Sequence, residues 1–79
     1  MKATVFVRPK PGILDPQGEA VRGSLQHLGF DVSDARVGRL VELELAAGDA
    51  DEARTAVERM CEQLLANPLI ETYGIEVAE

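Results

Sequence analysis

The chain has very few of the residues from which catalytic and metal sites are usually built. Its 79 residues include one cysteine, Cys61, and one histidine, His27, and serine occurs only at Ser24 and Ser33. A single cysteine excludes an intrachain disulfide, and neither Cys61 nor His27 lies in a cluster with zinc-ligand spacing. Neither serine has the glycine-flanked setting of a nucleophile elbow. The sequence therefore predicts no catalytic residue and no metal ligand in this chain.

Long apolar runs are absent as well. No segment approaches the roughly 20 apolar residues that a membrane span requires. The start of the chain, Met1–Val5, also lacks the apolar run of a signal peptide. We therefore expect a cytoplasmic protein without membrane contacts.

Positive charge is scarce, and the charges are unevenly distributed. The chain has 8 Lys and Arg against 14 Asp and Glu, a net charge of −6. Because Lys and Arg contacts to phosphate dominate nucleic-acid affinity, we expect no nucleic-acid partner. Residues 1–40 hold six basic and four acidic residues, net +2, and residues 41–79 hold two and ten, net −8. This asymmetry suits contacts with other subunits.

The small size of the chain makes its hydrophobic core marginal. A chain of this length buries only about 60% of the surface that it exposes when unfolded. Since a disulfide and a structural metal are excluded, oligomerisation is the remaining means of stabilising such a domain. We expect a single domain, residues 1–79, that is stabilised by oligomerisation.

The first strand carries an aromatic residue on its polar face. Alternation of Ala3, Val5 and Val7 with polar residues predicts a half-buried strand over residues 2–8. Phe6 lies on the opposite face, and Leu40 breaks the polar face of a later strand in the same way. Either both side chains are simply exposed, or this face is covered by another subunit.

A turn and a helix follow the first strand. Pro11 and Gly12 predict the turn. Asp15 is expected as the N-cap of a helix over residues 16 to about 28, with Pro16 at its first position, where a missing N–H costs nothing. The predicted apolar stripe of this helix consists of Val21, Leu25 and Leu28.

Three glycines raise questions about local packing. Gly18 and Gly23 each weaken the first helix by about 1 kcal/mol relative to alanine. They indicate either the close approach of another segment or tolerated weak points. Gly38 indicates a bulge or a turn, which leaves residues 30–47 as one bulged strand or two.

The second half of the chain predicts a helix and a last strand. Asp49 is expected to cap the helix in a capping-box-like pair with Glu52. Pro68 ends the helix, and residues 69–77 return as a strand. The predicted apolar stripe of this helix consists of Ala53, Val57, Met60, Cys61 and Leu64.

The order of these elements predicts an α+β fold. Amphipathic helices alternate with strands that are apolar on one face, in the order β-α-β(β)-α-β. We expect a two-layer sandwich related to the ferredoxin-like plan, with an antiparallel sheet of three to four strands and two helices on one face.

Three segments of the chain together resemble the PurS family, the small subunit of phosphoribosylformylglycinamidine synthase. The first is residues 10–18, KPGILDPQG, followed by LQHLGF at residues 25–30. The second is RVGR at residues 36–39 with the alternating Leu and Glu that follow, where lysine is common in the family at the position of Arg39. The third is residues 60–73, MCEQLLANPLIETY. The resemblance extends over essentially the whole chain.

The resemblance implies a non-catalytic subunit of a purine-biosynthetic ligase. In that family's complex, a PurQ subunit releases ammonia from glutamine and a large PurL subunit binds ATP, magnesium and formylglycinamide ribonucleotide. The resemblance implies that the small subunit joins the two as a homodimer, with a dimer of dimers in isolation as the alternative, and that it supports ammonia transfer. No cofactor is implied for this chain itself. A free-standing regulatory domain of ferredoxin-like plan that binds a metabolite is the alternative function.

Two groups of residues are predicted to matter for this role. The first group, expected in subunit interfaces, is Phe6, Arg8, Lys10, Gln17, Arg36, Arg39, Leu40, Asn67 and Tyr73. Its arginines and lysine are candidates for contacts with an acidic partner surface, with simple solvation as the alternative. The second group, expected to shape turns and helix ends, is Pro11, Gly12, Asp15, Pro16, Gly18, Gly38, Asp49 and Pro68.

Overall fold

A computed structural model describes residues 1–78; Glu79, the last residue of the predicted domain, lies outside the described residues. The elements in chain order are β1 (Lys2–Pro9), α1 (Pro16–His27), β2 (Arg39–Glu44), α2 (Ala50–Met60), a π-helical turn (Cys61–Leu65) and β3 (Glu71–Ala78).

The three strands form one antiparallel sheet in the order β2-β1-β3. Val5 at the centre of β1 lies opposite Val41 on β2 and Ile75 on β3. Since side chains alternate between the two faces of a sheet, these three residues share one face. The predicted α+β class and antiparallel sheet are confirmed, with three strands.

The core lies between the sheet and the second helix. Ala3, Val5 and Val7 of β1 are at most 2% exposed, and Val57 and Cys61 cover them with no exposed surface. The 3.6-residue period brings Val57 and Cys61 to the same side of the helix, while the period of two brings alternate β1 residues to one face. α2 packs on β1 and β3, and the β2 half of this face is covered less completely.

Contrary to the prediction, the first helix does not cover the sheet. Gly18 is the one buried residue of α1, and Val21 and Leu28 of its stripe are 42% and 71% exposed. α1 instead packs beside the segment that returns to the sheet, where the Gln26 side chain donates to the Val32 carbonyl at 2.8 Å. The radius of gyration is 15.7 Å, against about 12 Å for a compact chain of this length. The chain is therefore elongated.

The stretch between α1 and α2 contains less β-strand than predicted. Only Arg39–Glu44 of the stretch 30–47 forms a strand, so neither one bulged strand nor two is correct. The segment before β2 forms hydrogen bonds with α1 and its cap. The Val32 carbonyl accepts from the Gln26 side chain, and the Val37 N–H donates to Asp15. Gly38 marks a close approach instead of a bulge, because a Cβ there would collide with the carbonyl oxygen of Val7.

A π-helical turn changes the predicted stripe of the second helix. The Ala66 N–H donates to the Cys61 carbonyl five residues earlier, at 3.0 Å. The wider turn rotates the residues that follow Cys61 relative to an α-helix. Leu64 is therefore 83% exposed, and Leu65 packs against the core in its place.

The predicted caps and stop signals are present. Asp49 Oδ1 accepts from the Glu52 N–H at 2.8 Å, and Glu52 Oε2 accepts from the Gly48 N–H at 3.0 Å. This reciprocal pair resembles a capping box, in which the glutamate accepts from the N–H of the N-cap residue. Here it accepts from Gly48, one residue before the N-cap. After Pro68 the last strand begins at Glu71, two residues later than predicted, because the Asn67 carbonyl holds residues 70 and 71 in a turn.

Gly18 and Gly23 should respond in opposite directions to the same substitution. A Cβ at Gly18 would collide with the Ala35 carbonyl and the Asp15 carboxylate, whereas a Cβ at Gly23 would meet nothing within 4 Å. We expect Gly18→Ala to destabilise the fold by about 1–3 kcal/mol through overpacking. Gly23→Ala should stabilise it by up to about 1 kcal/mol.

Urea unfolding at one fixed chain concentration measures both effects, since oligomerisation makes stability depend on concentration. Equal free energies of unfolding for the two variants would contradict the close approach at Gly18.

Candidate partner-binding surface

Asp15 joins the start of α1 to the segment that enters β2. Its Oδ1 accepts from the Gly18 N–H at 3.0 Å, which caps the helix as predicted. Its Oδ2 accepts from the Val37 N–H at 2.9 Å, across 22 residues of sequence. These two backbone hydrogen bonds, from Val37 first and then Gly18, lower the pKa of Asp15, and the nearby Arg36 charge lowers it further. Asp15 is thus a cap and a tertiary contact at once.

Arg36 binds the turn that follows β1. Its Nη1 donates to the Ile13 carbonyl at 3.1 Å, and its Nη2 donates to the Lys10 carbonyl at 2.9 Å. The Lys10 N–H in turn donates to the Ile70 carbonyl at 2.8 Å. Three segments distant in sequence are therefore held together at one end of the molecule, which we call the loop end: residues 9–18, 34–39 and 67–71.

The second contact of the loop end is an ion pair between Arg39 and Glu71. Arg39 Nη1 donates to Glu71 Oε2 at 2.8 Å, and Arg39 Nη2 donates to Glu71 Oε1 at 3.0 Å. Arg39 Nη2 also donates to the Leu65 carbonyl at 2.7 Å, and Glu71 Oε1 accepts from the Asn67 N–H at 2.7 Å. The hydrogen bonds from Arg39 and then Asn67 lower the pKa of Glu71, and the bond to Glu71 raises the pKa of Arg39. This network ties β2 and β3 to the π-helical turn.

A groove of about 190 Å³ lies between these two contacts. Its lining includes Leu14, Ile70 and Gln17 together with the Arg39–Glu71 pair. Leu14 is 91% exposed and Ile70 is 43% exposed, although apolar side chains of this size usually find cover. Leu14, Ile70 and Glu71 were not among the predicted interface residues, because only the fold brings their distant segments together.

Phe6 and Leu40 lie side by side on the opposite face of the sheet from the core. They are direct partners in the β1–β2 register, and Gly74 lies opposite Phe6 on the other side. Leu40 is 55% exposed, and the space above Gly74 is open, since a Cβ there would have no neighbour within 4 Å. We call these three residues the Phe6 patch.

The remaining predicted interface residues are divided between the two faces and the loop end. Tyr73 lies opposite Val7 on the core face, away from the Phe6 patch, and its pKa is raised by burial and then by Glu62, Cys61 and Glu58. Arg8 is exposed at the end of β1, and Asn67 shapes the turn before β3 by accepting from the Leu69 N–H at 3.1 Å. The interface roles of these residues stay predictions.

The chemistry available within the described residues is limited. Residues 1–78 contain no group of three or more His, Cys, Asp or Glu side chains arranged to hold a metal ion. The Cys61 thiol is buried, and burial followed by the Glu62 and Glu58 charges raises its pKa, which suppresses the reactive thiolate. No helix in this part of the chain combines the length and the apolar character of a membrane span.

The fold and these surfaces define a small α+β protein with exposed apolar side chains at the loop end and in the Phe6 patch, as is typical of an interaction module. A family model described as PurS, phosphoribosylformylglycinamidine (FGAM) synthase, matches residues 2–79. The PurS subunit of phosphoribosylformylglycinamidine synthase from Bacillus subtilis is 43% identical over 79 residues, covering 99% of this chain and 93% of that protein. The chain therefore belongs to the PurS family, as the three segments predicted.

Solved structures agree with this assignment. The crystal structure of PurS from Methanocaldococcus jannaschii, a subunit of formylglycinamide ribonucleotide amidotransferase in the purine biosynthetic pathway, is 34% identical with a TM-score of 0.87, covering 99% of this chain and 95% of that chain. A chain in the PurLQS structure from Thermotoga maritima is 32% identical with a TM-score of 0.87, covering 95% of this chain and 93% of that one. The fold is thus shared over at least 95% of this chain.

The loop end should weaken when its two carboxylates are protonated. The pKa values of Asp15 and Glu71 are lowered by folding from their ordinary values of 3.8 and 4.5. Their contribution to stability is therefore fully present above these values and is lost as the pH falls through the lower folded pKa values. Unfolding free energies measured between pH 6 and pH 3 should fall below about pH 4.5.

Variants identify the groups responsible for this pH dependence. Asp15→Asn and Glu71→Gln should each flatten the acid limb of the stability curve. Glu42→Gln is the matched control, because Glu42 forms no ion pair within residues 1–78. An acid limb that is unchanged in both loop-end variants would disprove the assignment.

Proposed function

We propose that this chain joins the PurQ glutaminase and the PurL synthetase of phosphoribosylformylglycinamidine synthase and supports the transfer of ammonia between them. The complex converts formylglycinamide ribonucleotide, glutamine and ATP to formylglycinamidine ribonucleotide, glutamate, ADP and phosphate. The match over 95% of the chain to a subunit of the PurLQS structure carries this proposal. The outward-facing apolar groups support it, because they require neighbours.

The division of labour in this proposal assigns the reactive chemistry to the other two subunits. PurL would bind ATP and magnesium, and PurQ would hydrolyse glutamine, with this chain as a cofactor-free subunit in the cytoplasm. A tagged copy should therefore co-purify with both partners from its own host. A free-standing regulatory domain would instead bind a metabolite tightly and bring down neither chain.

A homodimer is supported by the surface that the monomer exposes. Its accessible surface is 5745 Å² for a mass of 8.5 kDa, whereas a compact monomer of this mass exposes about 4,700 Å². The excess of roughly 1,000 Å² matches what one partner loses in a substantial interface. The Phe6 patch is our candidate for part of this interface, since it is apolar and lies on a face without a covering helix.

Polar substitution of the patch should therefore separate the dimer. We expect the double variant Phe6→Ser and Leu40→Ser to sediment as a monomer at concentrations where the unchanged chain is dimeric, because the apolar area that favours association is lost. Leu64→Ser is the matched control, since Leu64 is also strongly exposed but lies on the π-helical turn. Dimers that persist in the double variant would exclude the patch from the interface.

Arg36 and Arg39 are proposed to act by shaping the loop end for a partner. Each has intramolecular partners, so charge reversal would place a carboxylate against carbonyl groups at Arg36 and against Glu71 at Arg39. We expect Arg36→Glu with Arg39→Glu to abolish the glutamine-dependent activity of the mixed subunits and to spare their ammonia-dependent activity.

The reason for this difference is that external ammonia needs no transfer between subunits. Steady-state assays with each nitrogen source measure it, and Arg54→Glu on α2 serves as the control for charge reversal. Equal loss of both activities would contradict a purely bridging role.

A further inference from the structure

The side of the sheet that carries the Phe6 patch, which we call the outer face, has no covering layer. The Cα atoms extend over 49 × 26 × 14 Å, so the molecule is a thin slab. α2 packs on the core face, and α1 lies beside the segment that follows it. No helix of residues 1–78 is therefore left to cover the outer face.

Charged side chains of the outer face lie on both sides of the Phe6 patch. Residues paired across antiparallel strands lie side by side and form rows. One row before the patch, Thr4 of β1 lies between Glu42 of β2 and Glu76 of β3. One row after the patch, Arg8 projects from β1 on the same face. We call Thr4, Glu42 and Glu76 the acidic row.

These charges do not neutralise each other within the chain. Glu42, Glu76 and Arg8 are exposed and form no ion pair within residues 1–78. Arg8 lies four residues along β1 from the acidic row, a distance of about 13 Å. Exposed charges this far apart are largely screened, because the Debye length at physiological ionic strength is about 8 Å. The outer face thus has an acidic side and a basic side, separated by an apolar centre.

Two copies of the chain can bury the Phe6 patch against each other in two ways. Closed dimers have a two-fold axis, and stacked sheets keep their strands within about 30° of each other. The strands of the two copies are therefore either antiparallel or parallel. With the patches superposed, antiparallel strands place Arg8 on the partner's acidic row, and parallel strands place each row on its own copy.

The charges distinguish these two arrangements. Parallel stacking opposes the four carboxylates of the two acidic rows and also opposes Arg8 to its own copy. Like charges placed directly opposite each other disfavour association, whereas opposite charges favour it. The remaining charged row, Lys2 with Glu44, carries one charge of each sign and hardly affects the choice. The charge pattern of the outer face is therefore complementary to itself only when the strands are antiparallel.

The antiparallel arrangement also fits the lengths of the side chains. Stacked sheets lie about 10 Å apart, a gap that an arginine and a glutamate close when they extend towards each other. Arg8 would then reach between two carboxylates, and its five N–H groups suffice for both. Either carboxylate alone keeps the guanidinium paired.

We propose that a second copy of this chain covers the outer face with its strands antiparallel to the first, so that Arg8 lies between Glu42 and Glu76 of the partner subunit. The two-fold axis repeats this contact on both sides of the paired Phe6 patches. The proposal rests on the homodimer of the proposed function and adds its orientation and its polar contacts.

The sign of one charge effect separates the two arrangements. We expect the double variant Glu42→Gln with Glu76→Gln to raise the dimer dissociation constant at least about tenfold, because symmetry removes the contact twice. Arg8→Gln should do the same. Parallel stacking requires the opposite result, a tighter dimer in each case. Sedimentation equilibrium measures the constants, with Arg54→Gln on α2 as the control, and Glu42→Gln alone should have little effect because Glu76 remains.

Exchange of the charges provides a second test that a merely structural role would not pass. Arg8→Glu alone should give monomers, and a chain that combines it with Glu42→Arg and Glu76→Arg should dimerise again. A Thr4→Cys chain mixed with an Arg8→Cys chain should form a 4–8 crosslink with a short bismaleimide, while the buried Cys61 stays unmodified.

Tighter dimers in the glutamine variants, no recovery in the charge-exchanged chain, or 4–4 and 8–8 crosslinks in place of 4–8 would each overturn the proposal. Dimers that are unchanged by every charge variant would also overturn it. In that case a weaker stimulation of PurL and PurQ by the same variants would assign the outer face to one of those subunits. Failure of the unchanged chain to support glutamine-dependent turnover would instead overturn the bridging role and leave the sedimentation results in place.

Discussion

The carboxylate of Asp15 determines how the two halves of this small protein are arranged. One oxygen caps α1 and the other holds Val37, so the helix and the segment that returns to the sheet are fixed to each other. Gly18 permits this arrangement, because any larger residue would collide with Ala35. As a consequence, α1 packs beside its own return segment and contributes nothing to the buried core of the sheet.

This arrangement leaves the sheet with too little cover for a monomer. The core is formed by one face of β1 with α2 and the π-helical turn, while the β2 side of that face and the whole Phe6 patch remain partly open. Small domains gain little stability from their own cores. An elongated chain that exposes this much apolar surface is stable where neighbouring subunits cover it, which is the situation of an assembly subunit.

The parts of the fold that local patterns determine were predictable from the sequence. Alternation identified β1, and Asp15 and Asp49 were correctly placed as caps, because strand faces and helix starts depend on a few adjacent residues. The exposed α1 stripe and the π-helical turn at Cys61 were missed, since both depend on contacts between distant segments. The groove was missed for the same reason, although Arg36 and Arg39 were recognised as residues of interest.

The placement of charge explains why the acidic composition does not prevent contact with an acidic partner. Residues 41–79 carry most of the negative charge, but Glu71, the acidic residue of that half which lies at the groove, is paired with Arg39. Bidentate pairing of this kind removes the local charge and fixes the geometry at the same time. Arg36, by contrast, has no ion pair within residues 1–78 and donates to the Lys10 and Ile13 carbonyls. The three segments of the loop end together hold three basic and three acidic side chains, whereas residues 41–79 hold two basic and ten acidic residues. An acidic partner therefore meets less repulsion of like charge at the loop end than at the second half of the chain.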